Sequence, residues 1–143
     1  MIWTLRVECK FGRYLADECI RVIEISSDAS LLEVHDAIQD AVGFDRDHLI
    51  EFFAGRHYRN RKVTFAVDLE CDDAFDAYAQ ISLEQVYPLQ EGLRLFYHFD
   101  FGDDWYFEIR KSRKRPTEPI PGEKYPRVIE RVGPNPEQYP GGE

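Results

Sequence analysis

The stretch Tyr97-His98-Phe99-Asp100-Phe101-Gly102-Asp103-Asp104-Trp105-Tyr106-Phe107-Glu108-Ile109 constrains the fold more than any other part of the chain. Two runs of alternating apolar residues flank a glycine and three aspartates. Side chains of an extended strand point alternately to opposite faces, so Leu95, Tyr97 and Phe99 share one face, and Trp105, Phe107 and Ile109 share one face of the next strand. The residues from Asp100 to Asp104 are the loop between them. This predicts an antiparallel hairpin with an acidic tip and an aromatic face that must be covered. On the same alternation His98 and Tyr106 point away from Trp105 and are expected as the exposed contacts of the hairpin.

The rest of the chain supplies the cover. Trp3, Leu5, Val7 and Cys9 alternate with polar residues as in a strand with one buried face, and Ile20 to Ile25 is its hairpin partner beyond a loop from Phe11 to Glu18. Ser30-Leu31-Leu32-Glu33 has the capping-box form. Leu31, Val34, His35, Ile38, Ala41 and Val42 recur at helical spacing, and Gly43 offers a left-handed stop, so a helix spans Leu31 to Val42. His48 to Phe53 and Val63 to Val67 read as a second hairpin whose turn contains Gly55 and Asn60. Asp68 to Tyr78 reads as an acidic loop with one helical turn at most, and Ser82 caps a short helix that Pro88 stops.

Pro116, Pro119, Pro121, Pro126, Pro134, Pro136 and Pro140 predict an irregular tail, with Ile120, Tyr125, Val128, Ile129 and Tyr139 packing it over the domain. The fold class is therefore α+β: a single domain over residues 1–143, with a mainly antiparallel β-sheet built from hairpins. One main helix and one short helix pack on the sheet, and the Pro-rich tail is irregular from about residue 116.

A chain of 143 residues with 14% aromatic and 43% hydrophobic content can bury a core without disulfides or a structural metal. Its net charge of -9 repels phosphate backbones and anionic membrane surfaces, so nucleic acid is disfavoured as a partner. Two basic runs stand against that background. Arg110-Lys111-Ser112-Arg113-Lys114-Arg115 follows the second hairpin strand, where it reads as a solvated strand end able to contact phosphate or an acidic partner surface. Arg56-His57-Tyr58-Arg59-Asn60-Arg61-Lys62 reads as a polar turn.

Cys9, Cys19 and Cys71 form an odd set without C-x-x-C spacing, and no apolar secretory segment precedes them. Reduced thiols and a cytoplasmic location are expected, although Cys9 and Cys19 face one another across the first hairpin closely enough for a bridge to be conceivable. No apolar run approaches the roughly 18 to 20 residues that span a bilayer, so the protein is expected to be soluble, with no membrane partner.

The chain resembles the plasmid pRiA4b ORF-three-like family of uncharacterised prokaryotic domains, some carried as passenger proteins by insertion elements and so associated with mobile elements. The resemblance rests on Tyr97, Phe99, Asp100, Phe101, Gly102, Asp103, Trp105 and Ile109, with Phe107 standing where the family has His. It extends to Leu32 through Gln39, Gly43-Phe44, His48-Leu49 and Phe52, and to a loose tail match at Tyr125-Pro126, Asn135 through Gln138 and Gly141-Gly142. It implies an α+β fold and no established reaction.

Three chemical readings remain for the residues themselves. Asp100, Asp103 and Asp104 around Gly102 offer oxygen ligands to a hard cation, but the spacing is not that of an EF-hand, and clustered aspartates more often cap turns. His35 and His48, with a hairpin aspartate, would make a transition-metal site only if the fold joined them. His35 lies on the apolar stripe and reads as a core histidine satisfied by a hydrogen bond; His48 reads as a cap for its strand or a holder of the Asp-rich loop. His57 and His98 read as surface residues. Trp105 and the surrounding rings could line a ligand pocket, although most of them must be core.

No hydrolase elbow, zinc-protease helix or phosphate loop is present, so no catalytic residue, metal or cofactor is assigned. The candidate binding residues are Asp100, Gly102, Asp103, Asp104, Trp105, His48, His98 and Tyr106. They suit a non-catalytic protein-binding or adaptor module that recognises another protein or a second copy of itself through the acidic loop and the adjacent basic strand end. The alternative is a metal-dependent phosphoester hydrolase using Asp100, Asp103 and Asp104 with His48. A weaker possibility is nucleic-acid binding through the two basic runs.

Overall fold

Among the described residues seven strands and three helices follow one another as β1 (Ile2–Phe11), β2 (Ile20–Ser26), α1 (Leu31–Val42), β3 (Ile50–His57), β4 (Asn60–Thr64), α2 (Ala74–Tyr78), α3 (Leu83–Val86), β5 (Arg94–Phe99), β6 (Trp105–Lys111) and β7 (Arg127–Val132). The structure is a computed structural model that describes residues 1–46, 48–65 and 74–139. The strands form one sheet in the order β4-β3-β5-β6-β1-β2-β7, with antiparallel pairing throughout.

One face of the sheet packs against α1. The registers Leu5↔Ile23, Val7↔Ile109, Leu95↔Ile109 and Tyr97↔Phe107 align apolar positions of neighbouring strands on that face. Helix α1 starts where the hydroxyl of Ser30 accepts from the Glu33 N–H at 3.1 Å while the Glu33 carboxylate accepts from the Ser30 N–H at 3.1 Å. It stops at Gly43, whose φ of 72° is the left-handed conformation glycine adopts without strain. Arg21, on the helix-facing side of β2, is only 2% exposed. Its Nε donates to the Ala41 carbonyl at 3.1 Å, and Arg131 donates to the same oxygen at 2.8 Å. Two guanidinium groups thereby meet the negative end of the helix dipole.

The other face is partly covered by the sheet's own edge. The β3–β4 ladder breaks register on both sides of Gly55, where a Cβ would lie 1.8 Å from the Asn60 carbonyl oxygen. Only glycine permits that approach, and the hairpin bends over the sheet. Tyr58 at its turn lies 5.2 Å from the Tyr106 ring and 5.8 Å from the Phe11 ring, on β6 and β1. Phe53 and Phe96, which alternate with the helix-facing residues, are consequently as buried as the main core.

Several expectations are corrected. The tail is not irregular throughout: β7 pairs with β2 from Ile20↔Val132 to Glu24↔Arg127, because the six residues of the strand fit between Pro126 and Pro134. Of the apolar tail residues, Val128 packs on the core, whereas Ile120, Ile129 and Tyr139 remain exposed. Two short helices are present instead of one, since α2 occupies the end of the expected acidic loop. Strand β4 begins at Asn60, so the basic run from Arg56 to Lys62 is mostly ladder with a turn at Tyr58 and Arg59. Ala66, Val67, Cys71 and the Gly141-Gly142 pair lie outside the described residues. Cys9 and Cys19 are buried free thiols joined through the backbone, the Cys9 N–H donating to the Cys19 carbonyl at 3.0 Å. Among the described residues no helix is long and apolar enough to cross a membrane.

Candidate functional site

The β5–β6 hairpin has two chemically opposite ends. At the tip, Asp100 and Asp104 take left-handed φ values of 61° and 53°, a conformation that aspartate tolerates through local hydrogen bonding. Asp100 is 6% exposed. Its Oδ1 accepts from the N–H groups of Gly102 at 3.1 Å and Asp103 at 3.2 Å, and its own N–H donates to the Leu49 carbonyl at 3.0 Å. Oδ2 faces Nε2 of His48 at 3.4 Å. His48 also bonds the Tyr139 hydroxyl and stands edge-on to Phe99, so it does hold the Asp-rich loop.

The remaining carboxylates turn elsewhere. Asp103 pairs with Arg13 at 3.4 Å, and Asp104 accepts from Nε2 of His98 at 2.8 Å. Among the described residues no group of three or more His, Cys, Asp or Glu side chains is placed to hold a metal ion. Gly102 is exposed, and a Cβ there would meet nothing closer than 3.4 Å, so its space does not demand glycine. Trp105 is fully buried, 4.8 Å from the Phe44 ring and packed so tightly over Gly12 that a Cβ there would lie 2.0 Å from the indole. It is a core residue and not a contact.

His98 also departs from expectation. It is buried at 5% exposure, between the ring of Tyr106 at 4.1 Å and that of Phe101 at 4.6 Å. Tyr106 is half-buried beneath the bent hairpin. Nε2–H of His98 donates to Asp104, and Nδ1 faces both the Arg61 guanidinium at 3.5 Å and the Glu51 carboxylate at 3.7 Å. Arg61 in turn binds Glu51 at 2.6 Å. Burial pushes the Glu51 carboxyl up, but hydrogen bonds and charge from His98 and Arg61 outweigh it and hold the group below the usual carboxylate range. Glu51 and Arg61 were invisible as partners of His98 in the sequence, because they come together only when β4 folds back along β3.

His35 sits beneath the tip as a core histidine. The Tyr97 hydroxyl donates to its Nδ1 and accepts from Nε2 of Gln39 at 3.1 Å. Burial lowers the imidazole to about 4, against a weaker opposing effect of Asp36. The rings of His35 and His48 both lie against Phe99, yet they take separate polar partners.

At the base of the hairpin a groove of about 870 Å³ opens between Trp3, the Tyr87-Pro88-Leu89 segment, Leu93 and the end of β6. Trp3 and Tyr87 meet edge to face at 5.9 Å, and the Lys111 ammonium lies 4.6 Å over the Trp3 ring. Arg94 and Arg110 line the groove while both bind the buried carboxylate of Glu108. Lys111 and Arg113, also in the lining, pair with no carboxylate among the described residues. The basic run, which reads in sequence as a solvated strand end, supplies Arg110, Lys111 and Arg113 to the groove's lining. Its apolar floor was missed because Trp3 is far along the chain from Tyr87 and Leu93 and meets them only in the fold.

The fold is similar to that of a crystallised protein of unknown function from Methanosarcina mazei Go1, with a TM-score of 0.67 and 21% sequence identity, covering 91% of this chain and 68% of that one. No curated protein matches the sequence. The family model described as plasmid pRiA4b ORF-3-like protein matches residues 4–143, nearly the whole chain, and the protein belongs to that family.

Proposed function

We propose that the protein is a non-catalytic protein-recognition module that holds an acidic segment of a partner in the groove at the base of the β5–β6 hairpin. The observation that carries this reading is the pair of cations, Lys111 and Arg113, which meet no carboxylate among the described residues and stand beside an aromatic floor in a chain of net charge -9. The groove's size falls in the usual range for binding sites of about 300–1,000 Å³. Arginine and aromatic side chains are the residue types that dominate recognition hot spots. The overall charge favours a local acidic peptide over a nucleic-acid backbone, which would meet repulsion outside the groove.

The test is fluorescence anisotropy of a labelled peptide rich in Glu, Asp and Tyr. Saturable binding that weakens with salt and disappears in Lys111→Glu/Arg113→Glu is the expected result. Absence of binding at low salt, or binding indifferent to the substitutions, would overturn the groove as the site. Divalent-ion-dependent phosphoesterase activity lost in Asp103→Asn would replace it with the metal-enzyme reading.

A further inference from the structure

The end of the molecule that carries the basic groove also carries its electrostatic opposite. A second cleft of about 430 Å³ lies beside β2 and α1, where Asp28, Glu33, Asp36 and Asp40 rim a floor that includes Ile25 and Tyr125. Asp36 and Asp40 bind Arg46, which does not line the cleft, and the described lining holds four carboxylates with no Lys or Arg among them. Next to it, the chain leaving β6 forms an exposed basic loop: Arg113, Lys114 and Arg115 point to solvent and pair with no carboxylate among the described residues. The Lys114 N–H donates to the Ser112 hydroxyl at 3.0 Å, which shapes the loop as a turn.

Loop and cleft flank the same short piece of chain. Ser112 donates to the Thr4 carbonyl at 2.8 Å, Thr117 bridges to Ile2, and Ile2 lies opposite Ser26 at the mouth of the cleft. Adjacent patches of opposite sign are self-complementary under a two-fold rotation, because the rotation sets each copy's loop against the other's cleft. The net charge of -9 on each copy opposes less specific contacts, so the segregated charge selects this orientation.

We infer that the chain pairs with a second copy of itself through this end, the Arg113–Arg115 loop of each copy entering the cleft rimmed by Asp28, Glu33, Asp36 and Asp40 of the other. The inference rests on the reading above that the basic strand end recognises an acidic protein surface, and it names that surface.

Sedimentation velocity over a concentration series tests it. The wild-type protein is expected to show a monomer–dimer equilibrium that weakens with salt, and Arg113→Glu/Arg115→Glu is expected to weaken pairing about tenfold or more. Asp36→Lys/Asp40→Lys should do the same, and mixing the two charge-reversed proteins should restore a dimer, since each reversed loop then meets a reversed cleft. Asp36→Asn/Asp40→Asn guards against misfolding around Arg46 and must also weaken pairing.

A monomer at every concentration, a dimer indifferent to both reversals, or a mixture that fails to pair would overturn the inference. The acidic-peptide assay separates the two readings. Peptide binding by a strictly monomeric protein keeps the groove and removes the self-contact. A charge-dependent dimer that binds no peptide supports the self-contact and removes the external partner.

Discussion

The tip and the base of the β5–β6 hairpin are both dense in charge, yet they use it in opposite ways. At the tip the carboxylates of Asp100, Asp103 and Asp104 each meet a donor within the chain. At the base Arg94 and Arg110 share Glu108, while Lys111 and Arg113 have no acid opposite them among the described residues. A charged group with a fixed internal partner holds the fold together; one without a partner is available to something else. The difference shows that charge density along a sequence does not by itself separate a structural end from an accessible one, whereas the pairing of each charge in the fold does.

The comparison breaks most easily at Asp100. Asp100→Ala removes the acceptor for two N–H groups and leaves alanine in a left-handed conformation, and is expected to cost about 3 kcal/mol in urea unfolding. Asp100→Asn, which tolerates the same backbone and can still accept, should retain most of that stability. A cost under about 1 kcal/mol for the alanine variant would mean that the tip is not the structural end.

A test of similar size concerns the core beneath the tip. His35 is lowered to about 4 in the folded protein. The unfolded chain, with an ordinary histidine near 6.5, therefore binds the proton first as pH falls. The stability associated with neutral His35 is complete above that ordinary value, declines as pH drops through it, and is lost by the time pH reaches the folded value. The total is on the order of 3 kcal/mol. Chemical denaturation from pH 7.5 to 4 should show this slope flattened in His35→Asn, and an unchanged slope would remove His35 as its cause.

The smallest expected effect lies at the base. Arg113→Ala should change stability by less than about 0.5 kcal/mol in the same unfolding assay, because the side chain is exposed and pairs with no carboxylate among the described residues. A larger loss would mean that the base, too, is used to hold the fold.

Much of the architecture was legible wherever one period governed one element. Alternation located β1, β2, β5 and β6 with their buried faces, and the Ser30 box with Gly43 delimited α1. His98 was misread because alternation assigns it to the face away from the helix, which is solvated in a simple two-layer domain. Here a bend permitted by Gly55 covers that face, and nothing local to His98 signals it. Strand β7 was hidden by counting prolines without asking where they fall: Pro126 and Pro134 bound the strand and spare its interior. At the site, the basic half was visible as a run, whereas Trp3 and Tyr87 gained their role only through tertiary contact.

The position of β7 has a consequence for colloidal behaviour. It occupies the flank of β2, whose Ile20-Arg21-Val22-Ile23-Glu24-Ile25 sequence is rich in β-branched residues and whose ladder groups on that side pair with β7. Bare, such a segment would template copies of itself into cross-β stacks. Strand β7 instead ends the sheet with Arg127, Glu130 and Arg131 between bounding prolines, a border on which further strands do not readily nucleate. The proline-rich tail thus acts as a selvedge, a finished border on the β7 side of the sheet.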